Sequence, residues 1–262
     1  MSELFAASEV EREIRAVDPQ CGHKYIRIFA EAFQSYRSRL SLSRLLDELL
    51  RADVLLVADY HALPAAQHYT ASLLEQLSSA MQRPLVLALE AVYARDQRIL
   101  EAWHAGRLDE RGLRSGIRFD ADWGFDWDPF FAVLTSARRL GVRLYGLEAV
   151  PRGGFRGLAR RDKYAAEHIA KLADAMPGSC IVVLFGESHL APQHLPALVR
   201  RKLPQARVVT LLQNVDPLYW QAQEEAGTRV KAVRVSDDVF CVFNATPLEK
   251  YESYRRCLER WS

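Results

Sequence analysis

Short apolar runs alternate along this chain with longer segments of helical character. Runs of strand length lie at residues 53–58, 85–90, 143–148, 180–186 and 207–213, and helix-length segments at 64–80, 94–141 and 160–175 separate the first four. This alternation is typical of parallel strands joined by crossover helices. The sequence therefore predicts an α/β fold with a mostly parallel sheet flanked by helices.

The two ends of the chain add further elements to this prediction. Runs at 231–235 and 239–244 flank a polar turn at 236–238, which predicts an antiparallel hairpin closing the sheet near the C-terminal end. Residues 25–36 and 41–50 predict N-terminal helices. Residues 246–249 form a capping box with proline at the first helical position, and an amphipathic helix follows. We expect its apolar stripe to pack on the domain, with a partner surface as the alternative: Leu248, Tyr251, Tyr254, Leu258 and Trp261.

Composition limits the classes of partner. The 262 residues carry 35 Lys and Arg against 33 Asp and Glu, a net charge of +2, so charge favours neither nucleic acid nor an anionic membrane. No apolar run approaches the ~20 residues of a membrane span. The N-terminus lacks the pattern of a signal peptide, and the four cysteines show neither CxxC nor zinc spacing. These features predict a cytoplasmic protein with no nucleic-acid partner.

Acidic and imidazole side chains stand at the ends of four predicted strands. Ligands of open α/β sheets bind outside the carboxyl ends of the strands, where these side chains converge. The residues concerned are Asp59 and His61, Glu90, Glu148, and Glu187 with His189. The sequence therefore predicts a site at this edge that takes a small-molecule ligand or substrate.

Two short patterns occur twice at these strand ends. An acid-x-His-x-x-Pro run followed by Gln-His occupies residues 59–68 and 187–194, and Leu-Glu-Ala-Val occupies 89–92 and 147–150. The repetition predicts a pseudo-symmetric site built from two half-sites. Along a strand, residues i and i+2 share a face, so both polar groups of each acid-x-His run can enter one cleft.

These residue types support two kinds of chemistry. Histidines and carboxylates can hold a divalent metal with an open coordination position, which assigns Asp59, His61, Glu148, Glu187 and His189 as ligands. Without a metal, a carboxylate among carboxylates has a raised pKa and can act as acid or base, which assigns catalytic roles to His61, Glu90, Glu187 and His189. The alternative for Asp59 and Glu187 is a helix cap or a loop ion pair.

Residues that flank the same edge are candidates for contact with a ligand. Tyr60 and Tyr93 offer phenol groups as hydrogen-bond donors or ligands, and Trp127 offers an apolar wall. Arg152, in a glycine-rich stretch after Glu148, can clamp an anion. The alternatives are core packing for the aromatic residues and a solvated loop for the arginine.

Four parts of the sequence carry a resemblance to a known family. They are the strand at 54–58 leading to His61, the strand end at Glu90, the tryptophan-rich segment before Phe130 and the run Gly186-Glu187-Ser188-His189. Together they resemble the ChaN-like domain. This domain belongs to the haem-binding uptake/Tiki superfamily, with erythromycin esterase-like hydrolases and Tiki-type proteases as distant relatives. The resemblance covers about residues 45–215. It implies haem binding and iron uptake, and the wider superfamily implies a Glu/His site at strand ends that hydrolyses a substrate or binds a metal.

The resemblance divides the chain into an N-terminal helical segment (1–44), a ChaN-like α/β domain (45–245) and a C-terminal helix packed on it (246–262). Its matching site residues are His61, Glu90, Glu187 and His189. The chain has Asp59 where the family usually has glutamate, and no lipobox precedes Cys21. The implied function is haem or iron binding, with hydrolysis of an ester, amide or peptide bond as the alternative. A sheet edge or the C-terminal helix offers a surface for a homodimer.

Overall fold

An eight-stranded sheet runs through the part of the chain that the structure describes. The structure is a computed structural model that describes residues 3–18, 23–149, 157–224 and 229–261, so Cys21 and Arg152 lie outside it. The strands are β1 (Ser38–Leu40), β2 (Val54–Asp59), β3 (Leu85–Tyr93), β4 (Arg143–Glu148), β5 (Cys180–Gly186), β6 (Val208–Gln213), β7 (Ala232–Ser236) and β8 (Val239–Val242). Their spatial order is β1-β7-β8-β6-β2-β5-β3-β4.

The six strands from β8 to β4 pair in parallel, and this confirms the predicted α/β fold. The predicted hairpin is also present, because β7 pairs with β8 in antiparallel register. However, the hairpin does not close the sheet, since the three-residue strand β1 pairs with β7 and forms the outermost strand. β1 is too short and too exposed to carry an apolar pattern, which is why the sequence gives no sign of it.

Helices cover both faces of this sheet. They are α1 (Glu3–Val17), α2 (Lys24–Ala32), α3 (Leu42–Leu49), α4 (Pro64–Ala80), α5 (Gln97–His104), α6 (Glu110–Gly116), α7 (Phe119–Asp122), α8 (Trp127–Arg139), α9 (Leu158–Ala175), α10 (Leu195–Lys202), α11 (Asp216–Glu224) and α12 (Pro247–Trp261). The predicted long segment 94–141 is four helices, α5 to α8, with Gly106 and Gly124 in the left-handed region between them. None of the described helices is long and apolar enough to cross a membrane.

The central strands are buried on both faces, as parallel strands under two helical layers are. Alternate residues of β2 enter different cores: Leu55 and Val57 join one cluster, and Val54, Leu56 and Ala58 join the other. This double packing fixes the central strands, and therefore the positions of the residues at their carboxyl ends.

The C-terminal helix α12 begins with the predicted capping box. The Thr246 N–H donates to Glu249 at 2.7 Å, and the Glu249 N–H donates to the Thr246 hydroxyl at 3.2 Å. The face that the helix buries differs from the predicted stripe, because it consists of Pro247, Lys250, Ser253 and Cys257, whereas Trp261 is 47% exposed. α12 therefore presents a lysine to the interior of the protein.

Candidate functional site

The Glu90 carboxylate lies between two imidazole rings. Its Oε2 is 3.6 Å from Nε2 of His61, and its Oε1 is 3.6 Å from Nε2 of His189. The Arg161 guanidinium also donates to Oε1, and the Gly186 N–H donates to Oε2. Glu90 is only 3% exposed. The structure thus brings three of the four predicted catalytic residues together around one buried carboxylate.

His61 is held by the carboxylate two residues before it. Nδ1 of His61 is 2.8 Å from Oδ2 of Asp59, and the Gln67 amide donates to the other Asp59 oxygen. Because Nδ1 faces the Asp59 carboxylate, Nδ1 carries a proton and donates it in this hydrogen bond. Nε2, on the side of Glu90, is the nitrogen that is left to accept or release a proton. The rings of Trp123 and Phe125 pack on the imidazole, with centroids at 4.4 and 5.1 Å.

His189 is held by a residue that the sequence analysis missed. Nδ1 of His189 is 2.5 Å from Oδ1 of Asp162 in α9, and the Tyr25 hydroxyl of α2 donates to the second Asp162 oxygen. The His189 side chain is 3% exposed, whereas the His61 side chain is 20% exposed. The two imidazoles are therefore similar in chemistry but not in access, and His61 is the one that a substrate can reach.

Arg161, the residue before Asp162, links two predicted carboxylates and was also missed. Its guanidinium donates to Glu148 from Nε at 3.0 Å and from Nη2 at 2.5 Å, in addition to its contact with Glu90. One turn of α9 therefore supplies a partner for Glu90, Glu148 and His189. The available signal is that Arg161 and Asp162 occupy positions on the buried face of an amphipathic helix, where charged residues are unusual unless they are paired.

The surroundings move the pKa values of Glu90 and His61 in opposite directions. Burial alone would raise the pKa of Glu90, but Arg161, His189 and His61 together lower it to about 2. Burial alone would lower the pKa of His61, but the carboxylates of Asp59 and Glu90 raise it above its usual value. Glu90 is thus an anion near neutral pH, and its charge together with that of Asp59 favours the protonated form of His61. The expectation that clustered carboxylates raise the acid's pKa does not hold for Glu90.

Glu187 adjoins this centre but pairs with a cation of the C-terminal helix. Its carboxyl group is 3.3 Å from Nζ of Lys250 in α12, and burial together with Asp216 raises its pKa although Lys250 lowers it. β5 ends at Gly186, and residues 187–190 form a 3-10 helix, so Glu187 and His189 do not share a face. The predicted pseudo-symmetry therefore extends to the positions of the two imidazoles but not to their acidic partners.

The flanking tyrosines Tyr60 and Tyr93 each pack against the cationic group of a lysine or arginine side chain. The Tyr60 ring lies 4.6 Å from Nζ of Lys250, and burial raises the pKa of its hydroxyl well above the usual value. Tyr93 is buried, with the guanidinium carbon of Arg95 4.8 Å from its ring centroid. Burial therefore disfavours a phenolate at Tyr60, and Tyr93 is a packing residue.

The aromatic wall at His61 is formed by Trp123. Trp127, which the sequence analysis assigned to this role, packs against Phe119 and Phe131 in the core and donates to Glu110 at 2.7 Å. Both tryptophans belong to one aromatic segment. Trp127 is the first residue of α8 and points into the core, whereas Trp123 precedes the helix and lies at the carboxyl edge of the sheet beside His61. Arg152 lies outside the described residues.

Each of the five predicted metal ligands is engaged with another side chain. Asp59 bonds His61, Glu148 pairs with Arg161, Glu187 pairs with Lys250, and His189 bonds Asp162. Among the described residues, no group of three or more His, Cys, Asp or Glu side chains is arranged to hold a metal ion. The geometry does not support the predicted divalent metal.

Comparisons with known proteins identify relatives at the level of family and fold. The chain resembles three solved structures: ChaN of Campylobacter jejuni with cofacial haem (14% identity, 70% of this chain and 93% of that chain, TM-score 0.49), the type III effector HopBA1 (12%, 79% and 95%, 0.51) and RRSP, a MARTX toxin effector domain from Vibrio vulnificus (18%, 72% and 38%, 0.47). Of these, the match to HopBA1, with a TM-score of 0.51 and 12% identity, shows a shared fold alone. No curated protein matches the chain. The family model described as "Haem-binding uptake, Tiki superfamily, ChaN" matches residues 45–175, half of the chain, and the protein therefore belongs to this family.

Proposed function

We propose that this protein is a hydrolase that cleaves an ester, amide or peptide bond by general acid–base catalysis at the carboxyl edge of its sheet. The observation that carries the proposal is the Asp59–His61–Glu90 arrangement. Asp59 holds Nδ1 of the imidazole at 2.8 Å, and Nε2 points towards an anionic carboxylate. An imidazole whose Nδ1 is held by a carboxylate and whose side chain is still 20% exposed can act as a general base that activates water or a hydroxyl group.

In the proposed reaction, Nε2 of His61 accepts a proton from the water that attacks the substrate carbonyl. Asp59 and Glu90 stabilise the imidazolium that forms, because both carboxylates lie next to the ring. Glu187 has a raised pKa and supplies a proton to the leaving group. The proton on His61 then returns to Glu187, so the net reaction consumes one water.

The buried side of the site consists of positioning residues. Arg161 and the Gly186 N–H hold the Glu90 carboxylate, while the Asp162–His189 pair closes its other side. None of these groups needs to touch the substrate. Their role in the proposal is to keep Glu90 anionic and fixed, which preorganises the charge that His61 needs when it is protonated.

Turnover of p-nitrophenyl esters and of amide and peptide substrates tests this proposal. His61→Ala should lower kcat at least 100-fold, in the range of a lost general base. His68→Ala is a matched control, because His68 is exposed and follows Gln67 in the same motif. Equal turnover in the wild type and the His61→Ala variant would overturn the assignment.

Haem binding is the second candidate, and the family match favours it. The residues at the Glu90 centre do not fit this ligand. Burial raises the pKa of Tyr25, whose hydroxyl donates to Asp162, and the same effect in Tyr60 disfavours a second phenolate. Nε2 of both His61 and His189 lies 3.6 Å from Glu90, which leaves no room for a porphyrin on either nitrogen, whereas a water molecule is small enough to reach His61. Haem would therefore have to bind through other residues of the protein.

A haemin titration followed at the Soret band distinguishes the two candidates. Saturable binding that survives in a His61→Ala/His189→Ala double variant would support haem binding away from the Glu90 centre. Binding that is lost in the double variant would contradict our conclusion that the centre does not fit haem. An absence of saturable binding would remove haem as a candidate and leave the hydrolase.

A further inference from the structure

Lys250 is a buried cation on the C-terminal helix, with a side chain only 5% exposed. Its Nζ lies 3.3 Å from one Glu187 oxygen and 3.4 Å from the other. It also donates to the Asn214 carbonyl oxygen at 3.2 Å and lies 3.7 Å from Asp216. A buried lysine requires such partners, because a charge that is buried without a counter-charge strongly destabilises the folded protein.

The cluster contains one cation for two carboxyl groups. Asp216 accepts a hydrogen bond from the Tyr251 hydroxyl at 2.7 Å, and its second oxygen lies towards Lys250. With both carboxyl groups ionised, the cluster would carry an excess negative charge out of water. That charge favours a proton on one of them, consistent with the raised pKa of Glu187.

The cluster adjoins the acid–base centre through two residues. Glu187 directly follows Gly186, whose N–H holds Glu90, and Tyr60, which directly precedes His61, packs its ring against Nζ of Lys250. α12 has other attachments to the same loop, because the Ser253 hydroxyl donates to the Ala62 carbonyl oxygen at 2.6 Å. α12 is thus attached to the domain by contacts other than those of Lys250. The presence of a buried positive charge at this position is therefore best explained by its pairing with Glu187.

We propose that Lys250 is a positioning residue that holds the Glu187 carboxyl group at the edge of the site in a state able to give and take up a proton. This inference rests on the proposed function, in which Glu187 protonates the leaving group. It extends the functional unit to α12, which lies beyond the segment matched by the family model.

Titratable groups from four elements face this cluster, and all of them enter its proton balance. They are Lys250 and Tyr251 of α12, Asp216 of α11, Cys241 of β8, and Tyr60 and His61 after β2. Lys250 lowers the pKa of Glu187, whereas Asp216 raises it. Removing one or the other therefore has opposite effects on the same carboxyl group.

Steady-state kinetics across pH test the proposal on Lys250→Met, Lys250→Arg and Asp216→Asn. Lys250→Met should lower kcat by about 10- to 100-fold with little change in KM and move the alkaline limb to higher pH, because the cation that favours ionised Glu187 is gone. Asp216→Asn should move the same limb to lower pH. Lys250→Arg should restore part of kcat. A folded Lys250→Met variant with wild-type kcat and pH profile would overturn the proposal.

Two further measurements separate this inference from the fold and from the proposed function. Ser253→Ala weakens the attachment of α12 and should leave the alkaline limb in place. If Lys250→Met does not fold, the Lys250→Met/Asp216→Asn double variant replaces it. The alkaline limb of its pH profile should lie near that of the wild type, because the two substitutions have opposite effects on the pKa of Glu187. If the wild type hydrolyses no substrate, a carboxyl ¹³C NMR titration assigned with Glu187→Gln still tests the opposite shifts, and their absence would overturn the proposal independently of turnover.

Discussion

The ends of β2 and β5 carry nearly the same short sequence and build different structures. After β2, Asp59 bonds His61, two residues later, at 2.8 Å. After β5, Glu187 turns to Lys250, and His189 takes its acid from Asp162 in α9. The two imidazoles nevertheless meet the same carboxylate, each at 3.6 Å from Glu90.

The difference arises from the backbone that follows each strand. Asp59 is the last residue of β2, and the chain turns at residues 61 and 62, which brings the His61 ring to the Asp59 carboxylate. Residues 187–190 form a 3-10 helix, in which three residues complete a turn, so side chains two residues apart point in different directions. A repeated motif thus preserves the residue types, but the local backbone decides which of them meet.

The largest expected effect comes from removing the cation beside Glu90, the carboxylate that both imidazoles contact. Arg161→Met leaves Glu90 and Glu148 buried without their cation, and we expect the free energy of unfolding to fall by about 3–5 kcal/mol. Urea unfolding at pH 7 measures this loss. Arg37→Met is the control, because Arg37 and Asp237 form an exposed pair with side chains 58% and 85% exposed, and its loss should cost under about 1 kcal/mol. Similar losses in both variants would contradict the account of the centre.

The next effect concerns the charge on Glu90 between the two imidazoles. Its pKa of about 2 in the folded protein lies below the ordinary 4.5, so the stabilisation is present above pH 4.5 and is lost as pH falls from there through 2. The difference corresponds to about 3 kcal/mol. Glu90→Gln should lack this part of the acid dependence in urea unfolding between pH 5 and 2, and a variant with the wild-type slope would refute the assignment.

The asymmetry between the two imidazoles predicts unequal effects of the same substitution. Asp59→Asn alters the partner of the accessible His61 and should lower kcat/KM about 100-fold. Asp162→Asn alters the partner of the buried His189 and should lower it about 10-fold, since His189 acts through Glu90. Kinetics of the two variants on one substrate measure the ratio. Equal losses would show that the two half-sites function alike.

The smallest effect concerns the residue at which the two half-sites come into contact. Gly186 pairs in register with Asp59, and an added Cβ would lie 3.0 Å from both Glu90 Oε2 and His61 Nε2. Gly186→Ala should therefore cost about 1–2 kcal/mol of unfolding free energy and shift the NMR signals of His61. A variant with unchanged signals and stability would mean that the ends of β2 and β5 are less closely packed than described.

Much of this architecture can be predicted from local sequence. The apolar runs predict the parallel strands because their side chains are buried on both faces of the sheet, and the acidic and imidazole residues at their ends predict where polar groups converge. Asp59 and His61 are only two residues apart, so their contact is also local in the sequence. The division of 94–141 into four helices depends on turns such as the one at Gly124, which periodicity alone does not locate.

The partners of these residues depend on the tertiary structure. Tyr25 and Asp162 are 137 residues apart and Lys250 and Glu187 are 63 apart, and each pair meets only because a helix packs on the sheet at a particular height and rotation. The sequence by itself determined which acidic and imidazole residues follow the strands at the carboxyl edge, since the strand pattern is local. Which of them are paired, which keep a proton and which remain accessible was decided by the packing of α2, α9 and α12, because burial and the distance to a counter-charge exist only in the folded protein.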